Sequence, residues 1–462
     1  MVRIFKHYVS HGVLLLGLLD SLILLGSAET AWIVRAHQIA MQVDPVSSRA
    51  ILLLSFALAM QLAMVAVGVY ESEALQSRRV GVSRLLIAIS LGMLLLSFLN
   101  FLMPDITLWR SNALYAVLLA TSILIVVRLL LGSSLGGDLF RRRLVVLGAG
   151  ARAERIRRLE KRRGASFTVA GYVAMRDGEN AVADAVSRNA IGNLAEHVTR
   201  LGASELVLAL EERRNAIPMA DLLRVKTTGV LVSDLSSFLE RETGRVDLDS
   251  VNPSWLIFSD GFSAGRRLSS IGKRLFDMIA SASLLLLSWP LILLAAGLIK
   301  LDSAGPVFYR QKRVGLYGQE FWILKLRTMM ADAEPDGNAV WAEEDDPRVT
   351  RIGYWLRKLR IDELPQCWVV LKGDMSFVGP RPERLQFVQA LEKKLRYYAE
   401  RHVVKPGITG WAQINYPYGA SLEDARHKLE YDLYYAKNYT PFLDLVILIQ
   451  TMRVILWHEG AR

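Results

Sequence analysis

The chain has 462 residues, with 56 Lys+Arg against 45 Asp+Glu and a net charge of +11. Hydrophobic residues make up 52% and the mean hydropathy is +0.26, which excludes a disordered chain and directs attention to membrane segments. One cysteine, Cys367, excludes a disulfide framework and any multi-cysteine zinc or iron–sulfur site.

Four apolar runs precede residue 135: Gly12–Val34, Ala50–Val69, Leu85–Met103 and Asn112–Leu131. Each approaches the ~20 residues that a helix needs to cross a ~30 Å hydrocarbon core. The first is too long for a cleaved signal peptide and carries Asp20 and Glu29. Residues 1–134 are therefore expected to form a bundle of four transmembrane helices. Arg3 and Lys6 precede it, Arg78, Arg79 and Arg84 lie between the second and third helices, and Arg141, Arg142 and Arg143 follow the fourth. The other loops hold fewer cations, so both ends of the bundle are placed in the cytoplasm. Asp20, Glu29 and Arg128 are costly in lipid and mark functional candidates by default. The plainer reading turns Asp20 to the bundle interior and sets Glu29 and Arg128 near the interfaces.

Residues 135–265 read as a basic linker and a Rossmann-like cytoplasmic domain. Residues 141–163 hold ten Arg/Lys and two Glu, a run suited to anionic lipid headgroups. No recognition fold surrounds it, so no nucleic-acid partner is expected. Arg143-Leu-Val-Val-Leu-Gly148-Ala-Gly150-Ala-Arg-Ala153 joins a β-like run to a glycine turn and a helical pattern, as in a dinucleotide-binding unit. Further strands are predicted at Phe167–Val173 and Glu205–Leu210. No acid follows the second strand, where Ala174-Met-Arg176 stands. Two readings stand, a cofactor site and a structural or regulatory module, and the missing acid favours the second.

Residues 266–462 form the third predicted domain, mixed α/β and monotopic. Met278–Ile299 is long enough to cross a bilayer. Ser288-Trp289-Pro290 interrupts it, however, and Pro removes a helical hydrogen bond. Both flanks are basic, with Lys273 and Arg274 before and Lys300, Arg310, Lys312 and Arg313 after. A re-entrant helix at about residues 275–300, broken at Ser288 and Pro290, fits these facts better than a span. Ser288 is expected to help meet the freed backbone groups.

The remainder carries the chemistry. Lys325 and Arg327 sit at i and i+2 of a predicted strand, hence on one face. Asp345-Asp346-Pro-Arg348-Val-Thr-Arg351 leads into a helix ending at Arg360, and clustered Arg makes an anion clamp. Asp362 and Glu363 follow at once. Carboxylates among cations stay ionised, so they suit a nucleophile toward phosphorus or ligands for Mg²⁺. In Gly379-Pro380-Arg381-Pro382 two prolines fix the backbone around a phosphate-holding Arg381. The loop Lys405–Asn415 offers Thr409, Trp411, Gln413 and Asn415 for reading a base or sugar. His402 and His427 read as surface histidines. The tail Pro441–Trp457 reads as an apolar helix lying against membrane or core.

The strings KRLFD, Ser288…Pro290, GPVFYRQKRVG, KLRTM, RIDELPQ, GDMSFVGPRPE and KPGITGWAQIN, in this order over about residues 269–458, resemble the bacterial sugar transferase family. These are the large monotopic polyprenyl-phosphate phosphoglycosyl transferases. The four-helix front and Rossmann-like middle resemble their exopolysaccharide-initiating members, and Val2–Tyr8 resembles the exosortase-associated branch. The resemblance implies a ping-pong reaction in the bacterial inner membrane, with the catalytic domain on the cytoplasmic face. Asp362 would attack the β-phosphorus of a UDP-sugar, UMP would leave, and undecaprenyl phosphate would take the phosphosugar from the aspartyl enzyme. Glu363, with Asp362, would hold Mg²⁺. Lys325, Arg327, Arg348, Arg351, Arg360, Arg381 and Gln413 would line the substrate site. Here a Trp separates Ser288 from Pro290, whereas the commonest family form has them adjacent.

Two rival readings carry sequence requirements of their own. An NAD-dependent nucleotide-sugar oxidoreductase or epimerase would need a Tyr-x-x-x-Lys pair, which residues 165–265 lack. A non-catalytic scaffold for polysaccharide assembly should have lost the acidic pair or the Pro-Arg-Pro loop, and both stand. The transferred sugar is not legible, and a homodimer through the front or middle domain is left open.

Overall fold

In the computed structural model the described residues are 2–4, 7–9, 11–42, 45–70, 74–75, 78–130, 141–162, 165–176, 181–211, 218–251, 267–330, 347–417, 419 and 421–457. Asp345 and Asp346, predicted to precede the basic helix, lie outside them, as does Lys6. The chain divides into two compact units, one holding Tyr8–Phe238 and the other Leu239–Arg462, with short N-terminal pieces assigned to each.

After two short strands, β1 (Val2–Ile4) and β2 (His7–Val9), the first unit opens into four helices: α1 (His11–Gln38), α2 (Val46–Val67), α3 (Arg78–Leu102) and α4 (Arg110–Leu130). All four contribute to one apolar core, through Leu24, Phe56, Met60, Leu85, Ala116 and Leu124 among others. Their outward faces are also apolar, with Leu15, Leu18, Leu58, Leu94 and Leu118 exposed. A helix apolar all round is at home in lipid, where its outer face costs nothing. Each of the four is long and apolar enough to cross a membrane, as is a fifth, Ser270–Asp302.

The polar residues of these helices find one another. Arg128 of α4 pairs with Asp20 of α1, both buried, and Tyr70 donates to the same Asp20 oxygen at 2.8 Å. Gln61 Nε2 donates to Tyr70 Oη at 2.8 Å. Arg49 Nε donates to Glu29 Oε2 at 3.0 Å. Asp20 thus faces the interior as expected, and Arg128 joins it there rather than reaching toward an interface.

The same unit holds five parallel strands, β3 (Arg142–Leu147), β4 (Phe167–Ala174), β5 (Ala185–Ser187), β6 (Glu205–Leu208) and β7 (Leu231–Asp234), in the order β5-β4-β3-β6-β7. That is the doubly wound order, with its switch point between β3 and β6. The glycine turn lies there. Gly148 has φ 122°, and a Cβ would stand 2.6 Å from Ala209 O. The next helix, α5 (Ala151–Glu160), would offer its N-terminus to a pyrophosphate. Instead Glu211 Oε1 accepts from Ala151 N at 2.7 Å. The chain supplies its own carboxylate where a dinucleotide would place phosphate.

The second unit is mixed α/β. After α6 (Leu194–Arg200) and α7 (Met219–Thr227) of the first unit, helix α8 (Leu235–Thr243) leads into it, and α9 (Arg267–Asp302) follows. The helical assignment of α9 runs through Pro290 without a gap over 36 residues, roughly 54 Å if straight, longer than a ~30 Å hydrocarbon core. Ser288 Oγ is buried without a hydrogen-bond partner, so it does not take up the carbonyl that Pro290 frees. Beyond α9 come the antiparallel hairpin β8 (Phe308–Val314) and β9 (Glu320–Leu326), helix α10 (Arg351–Lys358), a 3₁₀ turn at Ile361–Glu363 and α11 (Gln366–Lys372). Then β10 (Ser376–Val378) pairs in parallel with β11 (Gly407–Thr409), and α12 (Leu385–Glu392), α13 (Trp411–Asn415), α14 (Leu422–Asn438) and α15 (Pro441–Trp457) complete the unit.

The KRLFD residues fasten this unit to α9. Lys273 Nζ reaches Asp444 Oδ2 at 2.6 Å and Val378 O at 3.1 Å. Arg274 donates to Val370 O and Leu371 O, capping α11, and Asp277 accepts from Ser376 Oγ and Phe377 N. Leu443 and Ile447 of α15 are buried in the core with Tyr434 and Tyr435, so the tail helix packs on the protein over that stretch.

Candidate active site

The acidic pair sits where two backbone constraints meet. Helix α10 ends, Arg360 takes a left-handed conformation at φ 57°, and a single 3₁₀ turn carries Asp362 and Glu363 before Pro365 opens α11. Both carboxylates are buried, at 7% and 9% exposure. They do not share one environment.

Glu363 is surrounded by cations. Its Oε1 lies 2.9 Å from Lys325 Nζ and 3.4 Å from Arg381 Nη2, and its Oε2 lies 3.7 Å from Arg360 Nη1. Burial works to raise its pKa, but Lys325, Arg381 and Arg360 prevail and hold it well below the usual carboxylate range. Asp362 differs. Its Oδ1 is buried and has no hydrogen-bond partner among the described residues. Burial, and then the charge of Glu363, push it up to about 6, against the pull of Lys325, Arg360 and Arg357. One acid is a fixed anion holding three cations in place. The other presents an uncommitted oxygen.

The other expected site residues divide. Lys325, Arg360 and Arg381 meet at Glu363. Arg327 does not join them: β9 ends at Leu326, so the i, i+2 rule no longer applies. Its guanidinium instead donates to Ser303 O, Ala304 O and Ser303 Oγ at 2.7–2.9 Å, holding the chain just past the end of α9. Arg348 lies before α10, where its carbonyl accepts from Met330 N, and Arg351 is exposed at the start of that helix behind the Thr350 cap. Gln413 Nε2 donates to Ile408 O at 3.2 Å, and its Oε1 is buried without a partner.

The loop proposed to read a base or sugar is spent largely on the fold. Trp411 is buried, stacks on Tyr434 with centroids 5.8 Å apart and donates to Gly244 O at 2.7 Å. Thr409 bonds Thr451, and Asn415 bonds Trp411 O. An indole that is 7% exposed, stacked on one ring and with its N–H already spent, is not offered to a ligand. His402 is not a surface residue. It is buried, and desolvation, then Arg401, push it down to about 3. A neutral histidine with that value serves neither as acid nor as base near neutral pH.

Sequence spacing missed a second set. Arg401, Arg313 and Arg357 bond the loops around the acids, and Lys273, Asp277 and Asp444 fix the segment leading to Arg381. Their partners are backbone atoms or residues far along the chain, which no local pattern encodes.

Among the described residues no group of three or more His, Cys, Asp or Glu converges on a metal site. Two adjacent carboxylates, one with an unmatched oxygen, suit Mg²⁺ all the same, because Mg²⁺ takes few protein ligands and completes its shell with phosphate oxygens and water.

Residues 268–458 match the bacterial sugar transferase family. Over 241 residues the chain is 43% identical to the UDP-N-acetylgalactosamine-undecaprenyl-phosphate N-acetylgalactosaminephosphotransferase of Aeromonas hydrophila, covering 52% of this chain and 56% of that protein. It is 41% identical over 193 residues to the UDP-glucose:undecaprenyl-phosphate glucose-1-phosphate transferase of Xanthomonas campestris pv. campestris, covering 41% of this chain and 40% of that one. It is 45% identical over 190 residues to an uncharacterized sugar transferase, EpsL, of Bacillus subtilis (strain 168), covering 41% of this chain and 90% of that protein. The chain thus spans about half the length of the first two relatives and nearly all of the third.

Proposed function

The chain belongs to the bacterial sugar transferase family, and on that premise we propose that it transfers a sugar 1-phosphate from a UDP-sugar to undecaprenyl phosphate. The products are undecaprenyl-diphospho-sugar and UMP, and the step opens exopolysaccharide assembly. The uncommitted Oδ1 of Asp362, beside three cations gathered on Glu363, carries this reading.

The two steps balance as follows. Asp362 Oδ1 attacks the β-phosphorus, the bond to the bridging oxygen breaks, and UMP leaves with the electron pair. A phosphate oxygen of undecaprenyl phosphate then attacks the phosphorus of the aspartyl adduct, and the Asp362 carboxylate leaves. Lys325, Arg360 and Arg381 supply fixed positive charge where the transferred phosphoryl group carries negative charge. Glu363 holds those cations and does not itself bond phosphorus. Mg²⁺, when bound, would be held by Asp362 and Glu363 and would neutralise charge on the donor diphosphate. Burial excludes water from Asp362, which protects an acyl phosphate from hydrolysis.

An acceptor with its tail in the bilayer asks for an active site at the membrane surface. We place the four helices in the bacterial inner membrane with the transferase domain on the cytoplasmic face. Helix α9 dips into the bilayer and returns, with Pro290 as its weak point. Basic segments on either side of α9 support this side assignment.

The test is UMP release by the full-length protein in nanodiscs, given Mg²⁺, undecaprenyl phosphate and a panel of UDP-sugars. One donor should release UMP, and Asp362→Asn should abolish it. No UMP from any donor with folded protein would overturn the transfer. Full turnover in Asp362→Asn would overturn the covalent route.

A further inference from the structure

The loop that carries Arg381 is anchored by its carbonyls. Pro380 and Pro382 have no N–H, so the flanks of Arg381 can only accept hydrogen bonds. Three successive carbonyls are each taken by a different donor. Gly407 N donates to Pro380 O at 3.0 Å, Arg401 Nη2 to Arg381 O at 2.9 Å and Arg313 Nη1 to Pro382 O at 3.2 Å. The close approach needs glycine on the other strand, since a Cβ at Gly407 would stand 2.1 Å from Gly379 N.

Arg401 is the most committed of the three. It is 5% exposed, and its guanidinium bonds Tyr398 Oη at 2.7 Å, Asp432 Oδ2 at 2.7 Å and the Arg381 carbonyl. Asp432, on α14, is 2% exposed. A buried arginine paired with a buried aspartate thus spends a second N–H on the main chain of the residue that touches Glu363 at 3.4 Å. Guanidinium is suited to this because its rigid fork holds three partners in fixed directions, which an ammonium does not.

We propose that Arg401, braced by Asp432 and Tyr398, is a positioning residue for the transfer, and that it acts through the backbone of Arg381 rather than on substrate. The inference rests on the transfer proposed above. Displacing a charge-stabilising group by about 1 Å costs on the order of 100-fold in rate. Arg401→Lys keeps the charge beside Asp432 but not the fork. It should lower kcat on the order of 10- to 100-fold while KM for the UDP-sugar stays within about twofold.

The experiment is a kinetic double-mutant cycle on the full chain in nanodiscs, with UMP release as the readout. The four proteins are the wild type, Arg401→Lys, Arg381→Ala and the double variant, each with its melting temperature. The Arg401→Lys penalty should vanish in the Arg381→Ala background, because the group that Arg401 places is then gone. Arg401→Met with Asp432→Leu, which removes the pair without leaving a buried charge, serves if Arg401→Lys fails to fold, and should show the same vanishing penalty. An equal penalty in both backgrounds would overturn the proposal, as would wild-type kcat in a folded Arg401→Lys. Absence of UMP release from the wild type with every donor would instead overturn the transfer itself, and the positioning role with it.

Discussion

Lys325 Nζ stands 2.9 Å from Glu363 Oε1, and that contact separates the duties of two adjacent acids. Glu363 also faces Arg381 and Arg360, so the ion pairs of the site form on Glu363, while the same cations only partly offset the burial of its neighbour. Asp362 is left buried, repelled by Glu363 and with Oδ1 unpaired. Side chains next to one another in sequence therefore differ in environment: one carboxylate is held among cations and the other keeps an unmatched oxygen.

Opposite stability effects follow for the two acids in metal-free buffer. Burial and Glu363 raise Asp362 to about 6, so its charge is costly in the folded state above that pH and the cost is relieved as pH falls toward 4. Asp362→Asn should stabilise the protein by roughly 2 kcal/mol at pH 7.5, with the gain shrinking through pH 6 and gone near pH 4. Glu363 is depressed, so its pairs stabilise above the unfolded value and are lost only as pH falls through the folded one. Glu363→Gln should cost about 3 kcal/mol at pH 7.5. Melting temperatures of both variants across this range decide the matter, and a destabilised Asp362→Asn at pH 7.5 would reverse the assignment.

Arg327 tests the separation of scaffold from site. It is 5% exposed and holds the chain just beyond α9 through three bonds. Arg327→Met leaves two carbonyls unmet and should cost about 2–3 kcal/mol in a denaturant or thermal melt. In the folded fraction KM for the donor should change by less than about twofold, since its guanidinium is engaged by Ser303 and Ala304. A tenfold rise in KM with an unchanged melt would return Arg327 to the substrate site.

The difference between Lys325 and Arg327 shows where sequence reading stops. Both precede the acids in one short string, and alternation places them on one face only while the strand lasts. The membrane helices were legible because lipid imposes one rule on length and composition. That Glu363 would lie among cations was legible because Arg360 is its near neighbour in the chain, and Arg381 does meet it. Arg401 was not, because it bonds a carbonyl 20 positions away, and Trp411 was misread because a loop's composition does not say which rings it buries. Glu211 illustrates the same limit. The glycine turn before it reads as an anion site, and only the fold shows a carboxylate already there.

Glu240 joins the stretch after the Rossmann-like strands to the transferase core. Its two oxygens take Lys437 Nζ at 2.6 Å and Asn438 Nδ2 at 2.8 Å, with both side chains of the ion pair about 7% exposed or less. The family match begins at residue 268, so Glu240 lies before it. Glu240→Ala removes the carboxylate that meets Lys437 Nζ at 2.6 Å and should cost about 3–5 kcal/mol. Adding Lys437→Met should recover most of that, because the buried positive charge is then gone as well. A melt in which the double variant is no better than Glu240→Ala would mean that packing, not the charge, is what Glu240 provides.

Asp20 and Arg128 pose the same question in a different solvent. They pair between α1 and α4, yet Asp20 Oδ1 and two nitrogens of Arg128, Nε and Nη1, have no hydrogen-bond partner. A pair with unmet atoms in an apolar bundle is a poor source of stability but a strict one for register, since among the described residues each charge is paired with the other. Asp20→Leu alone leaves Arg128 unpaired at a cost of about 2.5–3.5 kcal/mol on insertion scales. Asp20→Leu with Arg128→Leu should melt within about 1 kcal/mol of the wild type in detergent, because neither charge then needs a partner. If register is what the pair supplies, cysteines placed one turn apart on α1 and α4 should cross-link at one spacing in the wild type and at several in the double variant. A single spacing in both would assign the register to the apolar core of Leu24, Ala116 and Leu124 instead.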